Sequence, residues 1–209
     1  MSRTLEILQK APILPVLVIE RIEDAVPLAR ALAAGGLPVL EVTLRTGVAL
    51  EAIKRIKDEV EGVYCGAGTV THGRMVEALE EVSADFAVSP GYTMSLGDAL
   101  RLSRIPLLPG VATASELMVC LDRGYSCFKF FPAEANGGTK MLKAFGGPFP
   151  DAKFCPTGGI TPSNLKSYLD IPSVVTAGGS WIAPKDAIER KDWDFITAEA
   201  ERVVALVND

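Results

Sequence analysis

The sequence predicts an α/β fold, a (β/α)8 TIM barrel with a short N-terminal lead-in helix. Short apolar, β-branched runs alternate with helical patterns eight times in 209 residues. Such alternation is typical of parallel strands joined by right-handed crossovers. Gly, Pro and Thr cluster at the carboxyl ends of nearly all these runs, at the rim where barrels bind their substrates. The alternative fold is an open, doubly wound sheet.

Local patterns predict each element in turn. The lead-in helix is predicted at residues 2–10, and each later unit is an apolar strand followed by a helix with apolar residues every three to four positions. The predicted strands are 13–19, 39–44, 62–69, 86–89, 105–108, 127–131, 153–156 and 174–177. The predicted helices are 22–34, 47–60, 71–82, 94–103, 114–123, 140–145, 162–169 and 186–189, with a final helix at 193–207. No linker interrupts the pattern, so one domain spanning residues 1–209 is expected.

Composition narrows the class of protein. Hydrophobic residues make up 48% and charged residues 22% of the chain, as in ordinary globular proteins. The net charge of −5 argues against a broad surface for nucleic acid or for an anionic membrane. The early apolar run, residues 11–19, is too short to span a bilayer and is followed by charged residues without a cleavage pattern. We therefore expect a protein of the cytoplasm.

The cysteines and the histidine limit the chemistry. None of the four cysteines forms a C-x-x-C pair, so free, buried and reduced thiols are expected. The only histidine, His72, lies at a predicted helix start and is expected to face solvent. One histidine rules out a His-rich zinc site and argues against a Ser-His triad. We expect no metal and no cofactor, with chemistry carried by Lys, Glu, Arg and the backbone.

The sixth predicted strand carries a lysine in an apolar run. It reads C-F-K-F-F-P from Cys127 to Pro132, and alternation places Lys129 on one face with Cys127 and Phe131. Burial disfavours the charged form of an amine, and a neutral amine attacks carbonyl carbons. The pattern therefore indicates a Schiff-base lysine. The alternatives are a lysine that reaches water past the strand end, or one that pairs with a carboxylate.

The second predicted strand repeats this anomaly. Glu41, Thr43 and Arg45 share one face of an otherwise apolar strand. Strands two and six lie on opposite sides of an eight-stranded ring, so Glu41 is expected to face Lys129 and to exchange protons with it or with the substrate. Arg45 suits a substrate carboxylate. The alternative is a structural ion pair between Glu41 and Arg45, capped by Thr43.

Loops at other strand ends complete the predicted site. Thr69 follows strand three and offers a hydroxyl, and Phe131 offers an apolar wall beside the imine. Glycine pairs follow strands seven and eight, where barrels commonly bind phosphate through backbone N–H groups. The residues concerned are Gly158 and Gly159 after strand seven, and Gly178, Gly179 and Ser180 after strand eight. Together these features predict a phosphorylated keto acid as substrate.

These motifs resemble those of a known family. The stretches E-V-T-L-R at 41–45, G-A-G-T at 66–69, S-P-G at 89–91, F-K-F-F-P-A-E at 128–134 and C-P-T-G-G-I at 155–160 are similar to the 2-keto-3-deoxy-6-phosphogluconate (KDPG) aldolases, also called 4-hydroxy-2-oxoglutarate aldolases. The resemblance runs from about residue 13 to the end. It implies a metal-independent class I aldolase, a homotrimer, that cleaves KDPG to pyruvate and glyceraldehyde 3-phosphate in the Entner–Doudoroff route.

The resemblance also assigns roles by position. It implies that Lys129 forms the imine and that Glu41 is the general acid and base. The remaining matched positions contact the substrate: Arg45 and Thr69 at the pyruvate moiety, Pro90 and Phe131 as pocket walls, and Gly158, Gly159, Gly179 and Ser180 at the phosphate end. One departure is Ala112, where the family often has Ser, so a hydroxyl contact at that point is in doubt.

Three other functions fit part of the same residue pattern. The same imine chemistry fits the galacto epimer of KDPG, unphosphorylated 4-hydroxy-2-oxoglutarate, or another 2-keto acid. A barrel that binds a phosphorylated metabolite without turnover would share the glycine loops but would not need the reactive lysine. A metal-dependent aldolase is a third alternative, against which the single histidine argues.

Overall fold

A computed structural model describes residues 2–208 and contains nine short parallel strands. They are buried almost throughout, which is why they are mainly apolar on both faces rather than alternating in polarity, with Glu41, Thr43, Lys129 and Lys153 as the exceptions. The strands are β1 (Ile13–Leu17), β2 (Val39–Thr43), β3 (Tyr64–Gly68), β4 (Ala87–Val88), β5 (Leu107–Leu108), β6 (Gly110–Val111), β7 (Cys127–Phe130), β8 (Lys153–Pro156) and β9 (Ala177–Gly179).

The strands form a closed ring. Hydrogen bonds join six of them in the order β5-β4-β3-β2-β1-β9 and three more in the order β6-β7-β8. Only Pro109 separates β5 from β6, so together they are one barrel strand. Bridges between Phe154 and Val174 and between Thr157 and Gly178 connect β8 to the segment that contains β9. The ring therefore has eight strand positions. This confirms the predicted (β/α)8 barrel, and the alternative of an open, doubly wound sheet is wrong.

Helices cover the outside of the ring. They are α1 (Arg3–Leu8), α2 (Ala25–Ala34), α3 (Ala49–Glu59), α4 (Val76–Glu81), α5 (Met94–Arg101), α6 (Ala114–Asp122), α7 (Gly138–Phe145), α8 (Pro162–Leu169), α9 (Lys185–Glu189) and α10 (Trp193–Asn208). Short 3-10 turns lie at Ile22–Asp24, Gly73–Met75 and Glu134–Asn136. The α-helices pack their apolar faces on the strands. In α3, for example, Ile53 and Ile56 are fully buried. No helix of residues 2–208 is both long and apolar enough to cross a membrane.

Two predicted strands differ from those observed. The predicted fifth strand ends at residue 108, yet the chain pairs again after Pro109 because Gly110 lies in register with Lys129. The predicted eighth strand, 174–177, is displaced to Ala177–Gly179, where it pairs with β1 from Ile13 onward. In both places the glycines that predict a turn are part of the ladder, since ladder pairing uses only backbone groups.

Strand register places the two anomalous charges inside the barrel. Glu41 lies between Val16 of β1 and Gly66 of β3. Lys129 lies between Gly110 of β6 and Cys155 of β8. Register partners in a parallel sheet point to the same face, so these residues share the inner face of the ring.

The remaining predictions from composition concern thiols and histidine. All four cysteines are free and buried, as predicted. His72 is exposed just before the Gly73–Met75 turn, also as predicted.

Candidate active site

A buried ion pair lies across the inside of the barrel. Lys129 Nζ is 3.1 Å from Glu41 Oε1 and 3.3 Å from Oε2. The two residues are only 5% and 1% exposed. The predicted meeting of Glu41 and Lys129 is confirmed, and a lysine that reaches water past the strand end is wrong. Buried pairs of this kind contribute little net stability because both ions lose their hydration, so stability alone gives no reason for placing them here.

Glycines on neighbouring strands make room for this pair. A Cβ atom at Gly68 would lie 2.7 Å from Glu41 Cγ and 2.8 Å from its Cδ, well inside ordinary contact. A Cβ at Gly110, beside Lys129, would overlap the backbone of Pro90 and lie 2.6 Å from the nitrogen of Gly91. Gly68 therefore leaves room for the Glu41 side chain, and Gly110 lets the backbone of Pro90 and Gly91 approach β6 closely.

Arg45 and Thr69 lie together at the rim above the pair. Arg45 is exposed, two residues past the end of β2, and its Nε donates to Thr69 Oγ1 at 3.3 Å. Thr69 has a φ of +62°, a left-handed conformation that is uncommon for a β-branched residue and is found most often at functional sites. Within residues 2–208 no ion pair joins Arg45 to Glu41, and Thr43 donates to the Leu17 carbonyl at 2.8 Å. The structural pair of Glu41 and Arg45 is therefore wrong.

Two further predicted residues flank the lysine. The ring centroid of Phe131 is 5.3 Å from Lys129 Nζ, close enough for the ring to form one wall around the amine. Pro90 lies over Gly110, the register partner of Lys129. Ala112 has no hydroxyl, and its backbone N–H already donates to the Glu116 carboxylate at 2.7 Å.

The glycine loops lie at the same end of the barrel. Gly158 and Gly159 follow β8 and have φ values of +99° and +80°, which only glycine adopts readily. Gly179 ends β9, and Ser180 follows it as an exposed residue. Among the described residues, no backbone hydrogen bond is donated by the N–H groups of Gly158, Gly159 or Ser180. These groups are thus free to receive an anion.

A cavity of about 710 Å³ opens between the ends of β1 and β9. Its wall includes Val16, the register partner of Glu41, and Ser180 at the end of β9. Lys129 and Glu41 are too deeply buried to line it. Of the predicted substrate contacts only Ser180 lines this cavity, so the cavity bears on the predicted phosphate end and not on the surroundings of the lysine.

Some residues of the site escaped the sequence prediction. In the sequence, Gly68 and Gly110 are recognisable only as motif or turn residues. Thr157 is buried, and its Oγ1 lies 3.4 Å from the Cys155 carbonyl oxygen. Burial raises the pKa of the Cys155 thiol to about 12, so this neighbour of Lys129 stays protonated. Thr157 directly follows β8, the seventh predicted strand, and side-chain alternation along that strand places it on the face of Cys155, which is the one signal in the sequence.

Metal ligands do not gather at this site. Within residues 2–208 there is no group of three or more His, Cys, Asp or Glu residues that could hold a metal ion. The ionisable groups at hand are an amine, a carboxylate and a guanidinium. Their arrangement suits imine formation on a keto acid, with proton transfer by Glu41.

Sequence comparison finds close relatives. Residues 5–199 match the family described as "Aldolase: KDPG and KHG aldolase". The chain is 54% identical over 200 residues to the 2-dehydro-3-deoxy-phosphogluconate aldolase of Pseudoalteromonas atlantica, covering 96% of this chain and 93% of that protein. It is 51% identical over 198 residues to the KHG/KDPG aldolase of Escherichia coli K12, covering 95% and 93%.

Solved structures match over nearly the whole chain. A KDPG aldolase from Legionella pneumophila, with pyruvate captured as a covalent carbinolamine intermediate, has a TM-score of 0.95 at 48% identity and covers 98% of both chains. The KDPG aldolase of Zymomonas mobilis ZM4 with 3-phosphoglycerate has a TM-score of 0.93 at 48% identity, covering 99% of this chain and 97% of that one.

Proposed function

Because the chain belongs to the KDPG and KHG aldolase family, we propose that it is a metal-independent class I aldolase that cleaves KDPG to pyruvate and glyceraldehyde 3-phosphate. The observation that carries the proposal is the buried contact of 3.1 Å between Lys129 Nζ and Glu41 Oε1. A lysine in an apolar barrel with one carboxylate beside it has both the nucleophile and the proton acceptor that imine chemistry needs.

The reaction begins at the keto carbon. A proton passes from Lys129 Nζ to Glu41, the free amine attacks the carbonyl carbon, and the proton that the attacking nitrogen then loses passes to the carbonyl oxygen to give a carbinolamine. Loss of water, with a proton from Glu41, gives the iminium. The Legionella pneumophila relative holds pyruvate at the carbinolamine stage, which supports this route.

The iminium then takes up the electrons of the bond that breaks. Glu41 removes the proton of the C4 hydroxyl, the bond between C3 and C4 breaks, and its electron pair forms an enamine with the iminium carbon. The C4 oxygen becomes the aldehyde of glyceraldehyde 3-phosphate. Glu41 returns the proton to C3, and water then releases pyruvate and frees Lys129.

The position of each predicted side chain and loop at the carboxyl ends of the strands indicates which part of the substrate it contacts. Arg45 and Thr69, joined by their 3.3 Å hydrogen bond, hold the carboxylate beside the keto carbon. Phe131 and Pro90 form the walls of the pocket around the imine. Gly158, Gly159, Gly179 and Ser180 hold the phosphate through backbone N–H groups and the Ser180 hydroxyl. The bound 3-phosphoglycerate of the Zymomonas mobilis relative supports a phosphorylated ligand.

Borohydride trapping tests the mechanism. Pyruvate and borohydride should add a reduced pyruvate imine to wild-type protein, and peptide mass spectrometry should place it on Lys129. Lys129→Met should abolish both adduct and turnover, whereas Lys153→Met, on the adjacent strand, should retain both. An adduct elsewhere, or turnover by Lys129→Met, would disprove the imine route. Binding of KDPG without turnover would instead indicate a non-catalytic barrel.

The substrate is decided by comparing rates. We expect the highest kcat/KM for KDPG, with lower values for its galacto epimer and for unphosphorylated 4-hydroxy-2-oxoglutarate. The name KHG/KDPG aldolase of the Escherichia coli relative favours the last as a side activity. Equal values for phosphorylated and unphosphorylated substrates would contradict the phosphate end, and loss of activity with a chelator would contradict metal independence.

We further propose that the whole chain, residues 1–209, is one domain that assembles as a cytoplasmic homotrimer. Exposed apolar side chains on α5 and α6, those of Met94, Met118 and Val119, are 47%, 55% and 43% exposed and favour burial between subunits. The four free thiols suit a reducing compartment. Light scattering on the purified protein should give three times the chain mass of 22.2 kDa.

A further inference from the structure

A hydrogen bond outside the reacting groups joins α8 to the chain that follows the lysine strand. The Tyr168 hydroxyl donates to Glu134 Oε1. Glu134 lies five residues after Lys129, at the start of the Glu134–Asn136 turn. Tyr168 lies on α8, the helix that follows the Gly158–Gly159 loop, and it is fully buried. The bond therefore connects the segment that carries the nucleophile with the element behind the proposed phosphate loop.

Glycine residues enclose this pair on two sides. A Cβ at Gly159 would lie 2.6 Å from Glu134 Cγ and 2.7 Å from its Cβ, so the stem of Glu134 packs directly against the Gly159 backbone. A Cβ at Gly138 would lie 3.0 Å from the Tyr168 hydroxyl oxygen and 3.1 Å from Glu134 Oε1. The stem of Glu134 is thus held against the loop, while the residue as a whole remains exposed to solvent.

Backbone bonds continue the connection. Ala133 N–H donates to the Thr157 carbonyl at 2.8 Å, and Glu134 N–H donates to the Gly158 carbonyl at 3.1 Å. On the other side of the loop, Asn164 Nδ2 donates to the Gly159 carbonyl at 3.0 Å. The loop carbonyls are therefore all held, while the N–H groups of Gly158 and Gly159 stay free.

The Tyr168 phenol is committed to this bond. Burial raises its pKa, and the Glu134 carboxylate raises it further, so the hydroxyl keeps its proton and acts as a donor. Within residues 2–208, Glu134 is its one side-chain hydrogen-bond partner. The donor ring is buried and the acceptor is charged, and a hydrogen bond to a charged acceptor is stronger than one between neutral groups.

We propose that Glu134 and Tyr168 are positioning residues that hold the Gly158–Gly159 loop at a set distance from Lys129, and so determine the preference for a phosphorylated substrate. This inference rests on the proposed function, in which that loop receives the phosphate. The pair acts through the loop and not on the reacting atoms. Its loss should weaken phosphate binding and leave imine formation intact.

Tyr168→Phe is the most direct perturbation, because it removes one hydroxyl and keeps both the ring and the Glu134 charge. We expect kcat/KM for KDPG to fall by about 10-fold or more, mainly through KM, since a hydrogen bond to a charged group is worth on the order of 10- to 100-fold. For unphosphorylated 4-hydroxy-2-oxoglutarate, kcat/KM should change by less than about 2-fold. Borohydride trapping of pyruvate should match wild type.

Further variants separate positioning from general damage. Glu134→Ala should lower the KDPG preference as Tyr168→Phe does, the double variant should add little to either, and Glu134→Gln, which keeps an acceptor, should recover part of the loss. Tyr125→Phe, a half-buried tyrosine ahead of β7, is the matched control and should keep the wild-type ratio. If Tyr168→Phe lowers both substrates equally, or changes neither, the proposal is overturned.

The ratio of kcat/KM for KDPG to that for 4-hydroxy-2-oxoglutarate in wild-type protein distinguishes failure of this inference from failure of the proposed function. If wild-type protein shows no preference for KDPG over 4-hydroxy-2-oxoglutarate, the phosphate end itself is wrong and the inference fails with it. If wild-type protein shows the preference and Tyr168→Phe keeps it, only the positioning role is wrong.

Discussion

Gly68→Ala is the sharpest perturbation of the barrel interior that the structure offers. Gly68 ends β3 beside Glu41, and an alanine Cβ there would lie 2.7 Å from Glu41 Cγ and 2.8 Å from its Cδ, where ordinary contacts are 3.4–4 Å. Glu41 is 1% exposed and cannot swing into solvent. The added methyl group must therefore displace the carboxylate within the barrel.

The displacement is large on the scale of the Lys129 contact. Restoring ordinary distance moves Glu41 Cγ from 2.7 to 3.4 Å, a shift of about 0.7 Å, and displaces its oxygens with it. The built Cβ also overlaps Glu41 Oε1, the oxygen that Lys129 Nζ contacts at 3.1 Å, so relief of the overlap must disturb that hydrogen bond. A misplacement near 1 Å costs on the order of 100-fold in rate, so we expect kcat for KDPG cleavage to fall by about that factor.

A coupled assay that reduces the released pyruvate with lactate dehydrogenase measures kcat, and circular dichroism with thermal unfolding checks the fold. Gly47→Ala is the matched control, since a Cβ at Gly47 meets no atom within 4 Å. We expect Gly47→Ala to have wild-type kcat. Wild-type kcat in folded Gly68→Ala, or an equal loss in both variants, would refute the view that Gly68 is there to accommodate Glu41.

Three further predictions concern single groups. Glu41→Gln should lower kcat by about 10²–10⁴ while the protein stays folded, as expected for a general acid–base group; a near-normal rate would make Glu41 structural. Arg45→Gln should raise KM for KDPG by about 10-fold or more, because a bidentate carboxylate contact is lost, and an unchanged KM would remove Arg45 from the site. Burial raises the pKa of Cys127 and Cys155 to about 12 from 9.0, so native protein should not react with a disulfide reagent at pH 8, whereas denatured protein should show four thiols. Since the folded pKa values are the higher ones, the free energy of unfolding should be insensitive to these thiols below pH 9 and fall as pH rises from about 9 to 12; reaction of native thiols at pH 8 would contradict their burial.

The barrel was predictable because its pattern is periodic. Eight alternations of strand and helix leave few topologies, and side-chain alternation placed Glu41 and Lys129 on one interior face. The family and the enzyme class, an aldolase, were predicted from the motifs and are confirmed by relatives above 50% identity. Strand ends near residues 110 and 177 were misplaced because glycine and proline usually mark turns, whereas ring closure there pairs backbone groups whatever the side chain.

Contacts between distant residues could not be predicted. In sequence, Gly68 looks like a weak strand residue. A glycine is needed there because a side chain would overlap the Glu41 carboxylate, which lies 27 positions earlier in the chain. That contact becomes apparent only when β2 and β3 are paired. The bond of Tyr168 to Glu134 spans 34 positions, and α8 alone would read as an ordinary amphipathic helix. Alternation along the second strand predicts that Arg45 shares the interior face of Glu41. Because β2 ends at Thr43, the Arg45 side chain instead lies at the rim of the barrel, where it donates to Thr69.

The barrel interior shows where this chain accepts a cost in stability. Barrel cores are usually filled by branched apolar side chains, yet the layer near Lys129 holds an ion pair, a threonine and glycines. Cβ atoms at Gly68, Gly110 and Gly178 would overlap Glu41, the Pro90 backbone and Thr157 respectively. Burying the ion pair costs hydration, and each glycine costs backbone entropy. The outer layer, where helices cover the strands with buried residues such as Leu28 and Leu32, contributes stability that the ion pair and the glycines do not. The polar interior layer is then retained for its chemistry.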